Sequence, residues 1–148
     1  MTWGEIQVIA LEKMFAKDEP IEVDDLDELR EDDDTKWYLG AMIAPANEAL
    51  QRIKPEIMNM YTKELDQSGN PTGNYIKTTI DTIDSDTDDD YELQIPLDAC
   101  VLIPLYIASE LYKDDDVSLS TQYRNEFEAG LQNLYYNIEP QDSIVEVI

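Results

Sequence analysis

The sequence predicts a mainly α-helical protein: a small helical bundle with a kinked central helix, a C-terminal helical hairpin and a short β-hairpin insertion. Three observations predict this fold class. Apolar residues recur at helical spacings of three and four over most of the chain, one apolar run breaks off at three consecutive aspartates, and the spacing changes to two near the middle. A chain of 148 residues has the usual size of one domain. We assign residues 1–136 to this domain and residues 137–148 to a C-terminal arm or tail.

The opening of the chain predicts an amphipathic helix. Thr2 is a suitable N-cap residue, and Glu5 three positions later completes a capping box. We expect the helix to end within residues 17–20, where charged residues precede a proline. Its inward-facing stripe is predicted to comprise Ile6, Ile9, Ala10 and Met14.

An acidic segment follows the first helix. Eleven of the seventeen residues from Asp18 to Asp34 are acidic. Apolar residues nevertheless recur among them at spacings that would let a helix dock one edge. The pattern predicts a short helix that starts near Asp24. The residues expected to dock are Ile21, Val23, Leu26 and Leu29.

A longer helical pattern begins at Asp34 and contains two prolines. Pro45 and Pro55 lie off its apolar stripe, and a proline in a helix interior costs about 3 kcal/mol because it removes a backbone donor and clashes with the preceding turn. We therefore expect a kinked helix, or two helices that meet near Ala44 and Pro45. The predicted stripe comprises Leu39, Ile43, Ala46, Leu50, Ile53, Ile57 and Met60.

The middle of the chain predicts a loop and then a β-hairpin. Residues 66–74 are almost exclusively turn-forming and predict an exposed loop. A spacing of two then predicts a β-hairpin insertion at about residues 75–96, with an acidic tip at residues 84–90. The two strand faces are predicted to carry Ile76, Thr78, Ile80 and Thr82, and Tyr91, Leu93 and Ile95.

The second half of the chain predicts a helical hairpin with an acidic elbow. The apolar run from Ala99 to Ala108 is interrupted only by Pro104 and has no polar face, so a helix formed by it must be surrounded by protein. It is too short to span a bilayer. Three aspartates end it, and a second helix returns on a different face. The stripe of that helix comprises Leu119, Tyr123, Phe127, Leu131 and Leu134.

Composition excludes several kinds of function. Ten basic against 34 acidic residues give a net charge of -24, which argues against direct binding to a nucleic-acid backbone. Histidine is absent, which excludes a histidine base, a histidine-ligated metal and a histidine pH switch. The single cysteine, Cys100, lies in the apolar run and is interpreted as a buried structural thiol. We find no basic, apolar leader and no long apolar span, so we expect synthesis and retention in a cytoplasm and no membrane partner.

The acidic residues do not predict an enzyme or a metal site. Asp84, Asp86 and Asp88 have the one-three-five spacing of a calcium loop, but position six holds Asp89 instead of glycine and position twelve holds Ile95 instead of glutamate. Catalytic carboxylate pairs need unequal environments, whereas these acids lie in charge runs typical of solvated surface. The sequence contains no phosphate-binding glycine loop and no nucleophile motif. We therefore predict no catalytic residue, no cofactor and no metal.

The amino-acid sequence of the helical hairpin resembles that of a known family. The segments "PLYIASELYKDDD" and "TQYRNEFEAGL" resemble the head-to-tail connector proteins (adaptor or head-completion proteins) of tailed bacteriophages. The resemblance is clear over residues 91–134 and weaker over residues 1–6. It implies a non-enzymatic homo-oligomeric ring, twelve-fold in many relatives, stacked under the portal in the virion neck and offering a docking surface to tail or neck proteins. The chain would be made in the host cytoplasm.

The resemblance and the residue pattern together nominate an interface. Tyr106 and Tyr123 are expected to be internal, and Tyr112 to border the elbow, because aromatic residues with a polar tip are favoured both in seams and at interfaces. The end of the chain is either a frayed terminus or an arm that adds to a neighbour. The simplest role of Arg124 is an ion pair with an acidic neighbour. The candidate interface residues are Tyr112, Lys113, Asp114, Asp115, Asp116, Arg124, Ile144, Val145, Val147 and Ile148.

The net charge predicts whether such a ring would bind the DNA that passes through it. A lumen lined by carboxylates would let the double helix pass without binding it, and residues 18–34, 84–90 and 114–116 are the candidate lumen or solvent-facing runs. The same charge predicts monomers at low salt and assembly on the portal or at high salt and concentration. Two alternatives stay open: an acidic DNA mimic that inhibits a DNA-binding host enzyme, and another neck component such as a tail terminator.

Overall fold

The computed structural model describes residues 1–15, 19–57, 61–77, 80 and 82–137. The protein is mainly helical with a small two-stranded antiparallel hairpin, so the predicted fold class is confirmed. The helices are α1 (Trp3–Met14), α2 (Leu26–Leu29), α3 (Lys36–Ala41), α4 (Ile43–Ile57), α5 (Leu97–Cys100), α6 (Ile103–Tyr112) and α7 (Val117–Asn137), and the strands are β1 (Tyr61–Leu65) and β2 (Pro71–Lys77).

Helix α6 occupies the centre of the bundle. It packs against α1, α4 and α7, and Ile103, Ile107 and Ala108 are fully buried. The predicted burial of the apolar run is therefore confirmed for its helical part. One end differs from the prediction: the run is split into α5 and α6, and Val101 between them is 43% exposed. Pro104 explains the split, since it lies in the first turn of α6, where a missing backbone donor costs little.

Helix α1 forms as the capping residues predict. The Thr2 hydroxyl oxygen accepts from the Glu5 backbone N–H at 3.1 Å, and the Glu5 carboxylate accepts from the Thr2 backbone N–H at 3.4 Å. The inward stripe is slightly rotated, because Leu11 is fully buried whereas Ile9 is half-buried.

The acidic segment contains the expected short helix. A 3₁₀ turn, Val23–Asp25, leads into α2, in which Leu26 is fully buried and the acidic residues face solvent. Leu26 in the core, with Ile21, Val23 and Leu29 packed against it as predicted, holds this charged segment against the bundle.

The central pattern forms two helices, α3 and α4. They meet at Met42, two residues before the predicted position. Pro45 lies in the first turn of α4, where its missing N–H needs no partner, and Pro55 lies inside the same helix. The predicted stripe is buried apart from the half-buried Ile43, and Met60 lies outside the described residues.

The β-hairpin lies earlier in the chain than predicted. Strands β1 and β2 pair antiparallel, with Lys63 opposite Tyr75, around a tight turn in which Gly69 has a φ of 83° that favours glycine. The placement at residues 75–96 is therefore wrong, and the predicted exposed loop, residues 66–74, forms the turn and the first half of β2. The sequence did not predict β2 at its true position because the strand begins with proline, threonine, glycine and asparagine, which give no apolar face.

Residues 82–96 form a loop that is fixed to the start of α1. The Trp3 and Gly4 backbone N–H groups donate to the carbonyl oxygens of Tyr91 at 2.9 Å and Asp89 at 2.8 Å. Ile83, Leu93 and Ile95 anchor the loop in the core. In the part of the chain that the structure describes, no helix has the length and apolarity required to cross a membrane.

Candidate interaction surfaces

The predicted acidic elbow joins α6 to α7. The Tyr112 carbonyl oxygen accepts from the backbone N–H groups of Asp115 at 3.1 Å and Asp116 at 2.8 Å, which closes the turn. The Asp116 carboxylate accepts from the Leu119 backbone N–H at 3.0 Å and so caps α7 at its N-terminus, where negative charge is favourable. Lys113 and Asp114 remain exposed at the tip. The elbow is a defined turn that presents charge to solvent.

Two tyrosines of the hairpin cap the end of α1. The Tyr123 hydroxyl donates to the Lys13 carbonyl oxygen at 2.8 Å, and the Tyr112 hydroxyl donates to the Met14 carbonyl oxygen. The last carbonyls of a helix have no partner within it, so these bonds satisfy groups that would otherwise need water. Burial raises the pKa of both phenols. Tyr112 borders the elbow as predicted, but its hydroxyl is engaged within the molecule.

An aromatic groove of about 630 Å³ lies beside the elbow. Tyr38 forms one wall, where its hydroxyl donates to the Asp115 carboxylate at 3.2 Å and its ring meets that of Phe15 edge to face at 5.1 Å. The neighbouring Trp37, whose ring meets that of Tyr38 edge to face at 4.9 Å, is 63% exposed. The sequence analysis did not single out Trp37 and Tyr38, although their position directly after an acidic run is a signal visible in the sequence. The elbow therefore combines carboxylates with exposed aromatic surface.

Arg124 joins α7 to α6. Its guanidinium forms an ion pair with Glu110, donates to the Ser109 hydroxyl oxygen at 3.3 Å and lies over the Tyr106 ring at 4.4 Å. The expected ion pair is confirmed, with a partner on α6. Arg124 thus serves packing within the hairpin, and Tyr106 is internal as predicted, 7% exposed.

A second charged cluster holds the acidic loop. The Asp89 carboxylate accepts from Arg30 Nη1 at 2.9 Å, from Arg30 Nη2, and from Gln7 Nε2 at 2.9 Å. Burial alone would raise the pKa of Asp89, but the hydrogen bonds from Arg30 and Gln7 together with the arginine charge outweigh it, so the pKa of Asp89 is lowered. Sequence reasoning missed this cluster because its members lie far apart in the chain.

The Arg30–Asp89 pair borders a polar cleft of about 660 Å³. The Asp84 carboxylate on its rim accepts from the Asp86 backbone N–H at 2.8 Å, which forms a local turn. Within the described ranges, no three histidine, cysteine, aspartate or glutamate side chains are grouped so that they could hold a metal ion.

Cys100 is fully buried, as predicted. Burial raises the pKa of its thiol to about 11. The thiol is therefore protonated at neutral pH, and the nucleophilic form is the thiolate.

The remaining predicted interface residues are Ile144, Val145, Val147 and Ile148, which lie outside the described residues. Comparisons of the chain with protein-family models, with curated proteins and with solved structures found no match.

Proposed function

We propose that this protein is a structural, non-enzymatic subunit of the head-to-tail connector of a tailed bacteriophage. It would form a homo-oligomeric ring under the portal in the virion neck and offer a docking surface to tail proteins. The observation that carries the proposal is the α6–α7 hairpin: the segment that resembles the connector family, residues 91–134, contains the central buried helix and the exposed acidic elbow.

The elbow is the docking surface that we assign to the portal. Lys113 and Asp114 are exposed at its tip, and the exposed Trp37 packs against Tyr38, which lines the groove. Charged groups around aromatic anchors are typical of protein interfaces. Arg124 is left out of this surface because it is engaged within the hairpin.

The charge supports a path through which DNA passes without adhering. The chain has a net charge of -24, and the acidic side chains of α2 face solvent. Carboxylates that line a ring would repel phosphates, whereas a basic lining would bind them through counterion release.

Co-sedimentation with the portal encoded in the same genome tests the proposal. We expect the chain to bind portal rings, and Asp114→Lys to weaken that binding about tenfold or more, since reversed charge is unfavourable across a complementary interface. Glu126→Lys, an equal change at an exposed position on α7, is the matched control and should bind like the wild type. A wild-type chain that does not co-sediment with the portal contradicts the proposal.

An acidic DNA mimic is the second candidate. It is favoured by the acidic loop of residues 84–90, because the Arg30–Asp89 pair and hydrogen bonds from the α1 backbone hold this loop against the helices. A pull-down from host lysate separates the candidates. A mimic would capture a DNA-binding enzyme, and a connector or a tail terminator would capture virion proteins.

A further inference from the structure

The β-hairpin differs from the rest of the molecule in its exposure. Every described side chain from Leu65 to Ile76 is exposed, and Glu64 is half-buried. The exposed residues include Leu65, which is 57% exposed, and Tyr75, which is 38% exposed. Among the hairpin side chains whose burial the structure describes, residues 63–76, only Glu64 is partly covered.

Such a hairpin gains stability from a partner. In the described residues the sheet consists of β1 and β2 alone. A two-stranded hairpin is only marginally stable in water, and three or more strands, or packing on another element, are needed for independent stability. Strands at the edge of a sheet readily add strands from another chain.

The hairpin also differs in charge. Between Tyr61 and Lys77 the chain has two lysines, Lys63 and Lys77, and two acidic residues, Glu64 and Asp66, so this segment has no net charge. The whole net charge of -24 therefore belongs to the remainder of the chain. A cationic partner would be drawn to that remainder. A hairpin without net charge adds no repulsion of its own when two equally acidic copies meet through it.

We infer that the hairpin is the surface through which this chain binds a second copy of itself, with the hairpins of successive copies side by side. The inference rests on the proposed ring and names the contact between its subunits. Its two strands offer two different edges, so β1 of one copy can meet β2 of the next in the same head-to-tail sense around the ring. Leu65 and Tyr75 provide apolar surface at this contact.

Sedimentation equilibrium of the full chain in ~1 M salt, where the screening length falls to ~3 Å, tests the inference. The test variant is Leu65→Glu/Tyr75→Glu, which places two charges on the neutral hairpin. We expect it to weaken self-association at least ~10-fold, because the contact loses its apolar surface and the new carboxylates lose their water there, a cost that salt does not screen. Its helical circular dichroism should equal that of the wild type, since both positions are exposed.

The matched control is Leu97→Glu/Val117→Glu. Leu97 and Val117 are 61% and 68% exposed on the helical body, so the control adds the same charge elsewhere and should associate like the wild type. Equal weakening in both double variants, no weakening in the hairpin variant, or a wild-type chain that stays monomeric in high salt overturns the inference. Portal binding is measured in parallel. If the chain binds the portal but the hairpin variant self-associates like the wild type, this inference alone is refuted. If the hairpin variant weakens self-association but the wild-type chain does not bind the portal, the proposed function alone is refuted.

Discussion

Each of the three arginines joins parts of the chain that lie on different elements. Arg30 pairs with Asp89, Arg52 pairs with Glu128 at 2.8 Å, and Arg124 pairs with Glu110. A guanidinium offers a planar set of donors that matches a carboxylate, so arginine suits such links better than lysine does. In a chain with 34 acidic residues, these few cations fix which carboxylates become structural.

Asp89→Asn tests the most connected of these pairs. We expect the variant to lose about 1–2 kcal/mol of unfolding free energy at pH 7, since charge-assisted hydrogen bonds are lost at a partly exposed site. The pKa of Asp89 is lowered from 3.8 in the folded state, so this stabilisation is fully present above the unfolded value and disappears as pH falls through the folded value. Urea unfolding from pH 7 to pH 3 measures it.

Asp27→Asn is the control for this prediction. The Asp27 side chain is 94% exposed and pairs with the same arginine within one helical turn. Its loss should change the unfolding free energy by at most a few tenths of a kcal/mol. A difference between Asp89→Asn and the wild type that does not shrink in acid would contradict the assignment.

At the scale of elements, α1 is held at both ends by distant segments. At the start of α1, the loop of residues 82–96 accepts from the backbone N–H groups of Trp3 and Gly4. At the end of α1, the hydroxyls of Tyr123 and Tyr112 in the α6–α7 hairpin donate to the carbonyl oxygens of Lys13 and Met14. Free helix ends leave backbone groups without partners. These contacts tie the first helix of the chain to its second half.

Alanine substitutions at two glycines test close packing and helix propensity separately. A Cβ atom at Gly4 would lie 2.7 Å from the Asp89 carbonyl oxygen, whereas one at Gly40 in α3 would meet nothing within 4 Å. We expect Gly4→Ala to destabilise the protein by about 1–3 kcal/mol, because the loop must shift. Gly40→Ala should stabilise it by about 0.5–1 kcal/mol through helix propensity. Urea unfolding followed by circular dichroism gives both values, and equal signs would contradict the packing argument.

Local signals explain which elements could be predicted from the sequence. The α1 capping box and the apolar stripe of α7 depend on residues within a few positions of one another. The capping box is confirmed, and so is the stripe from Tyr123 to Leu134, in which Phe127 and Leu134 are buried and Tyr123 and Leu131 pack against the core. The β-hairpin was misplaced because β2 is exposed and its polar residues give no alternation. The Arg30–Asp89 pair joins residues 59 positions apart, so only the folded arrangement brings it together.

At the scale of the whole molecule, apolar burial and charge are segregated. The core surrounds α6, and a few apolar side chains anchor the long acidic runs in it, among them Leu26 and Ile83, which are almost completely buried. This arrangement leaves a dense negative surface whose self-repulsion opposes both compaction and association. Salt should therefore control assembly more strongly than it controls the contacts within one subunit.

Assembly should depend on ionic strength. In ~10 mM salt the screening length is ~30 Å, so copies that each carry -24 repel one another and the free chain should sediment as a monomer. In ~1 M salt the screening length is ~3 Å, and self-association should appear and rise with concentration. Sucrose does not screen charge, so adding it at low salt is the control and should leave the chain monomeric. Portal rings should bring copies together even at low salt, because each copy then gains a contact with the template. A stable ring in ~10 mM salt without any partner would contradict this prediction, since it would require a subunit contact strong enough to overcome unscreened repulsion.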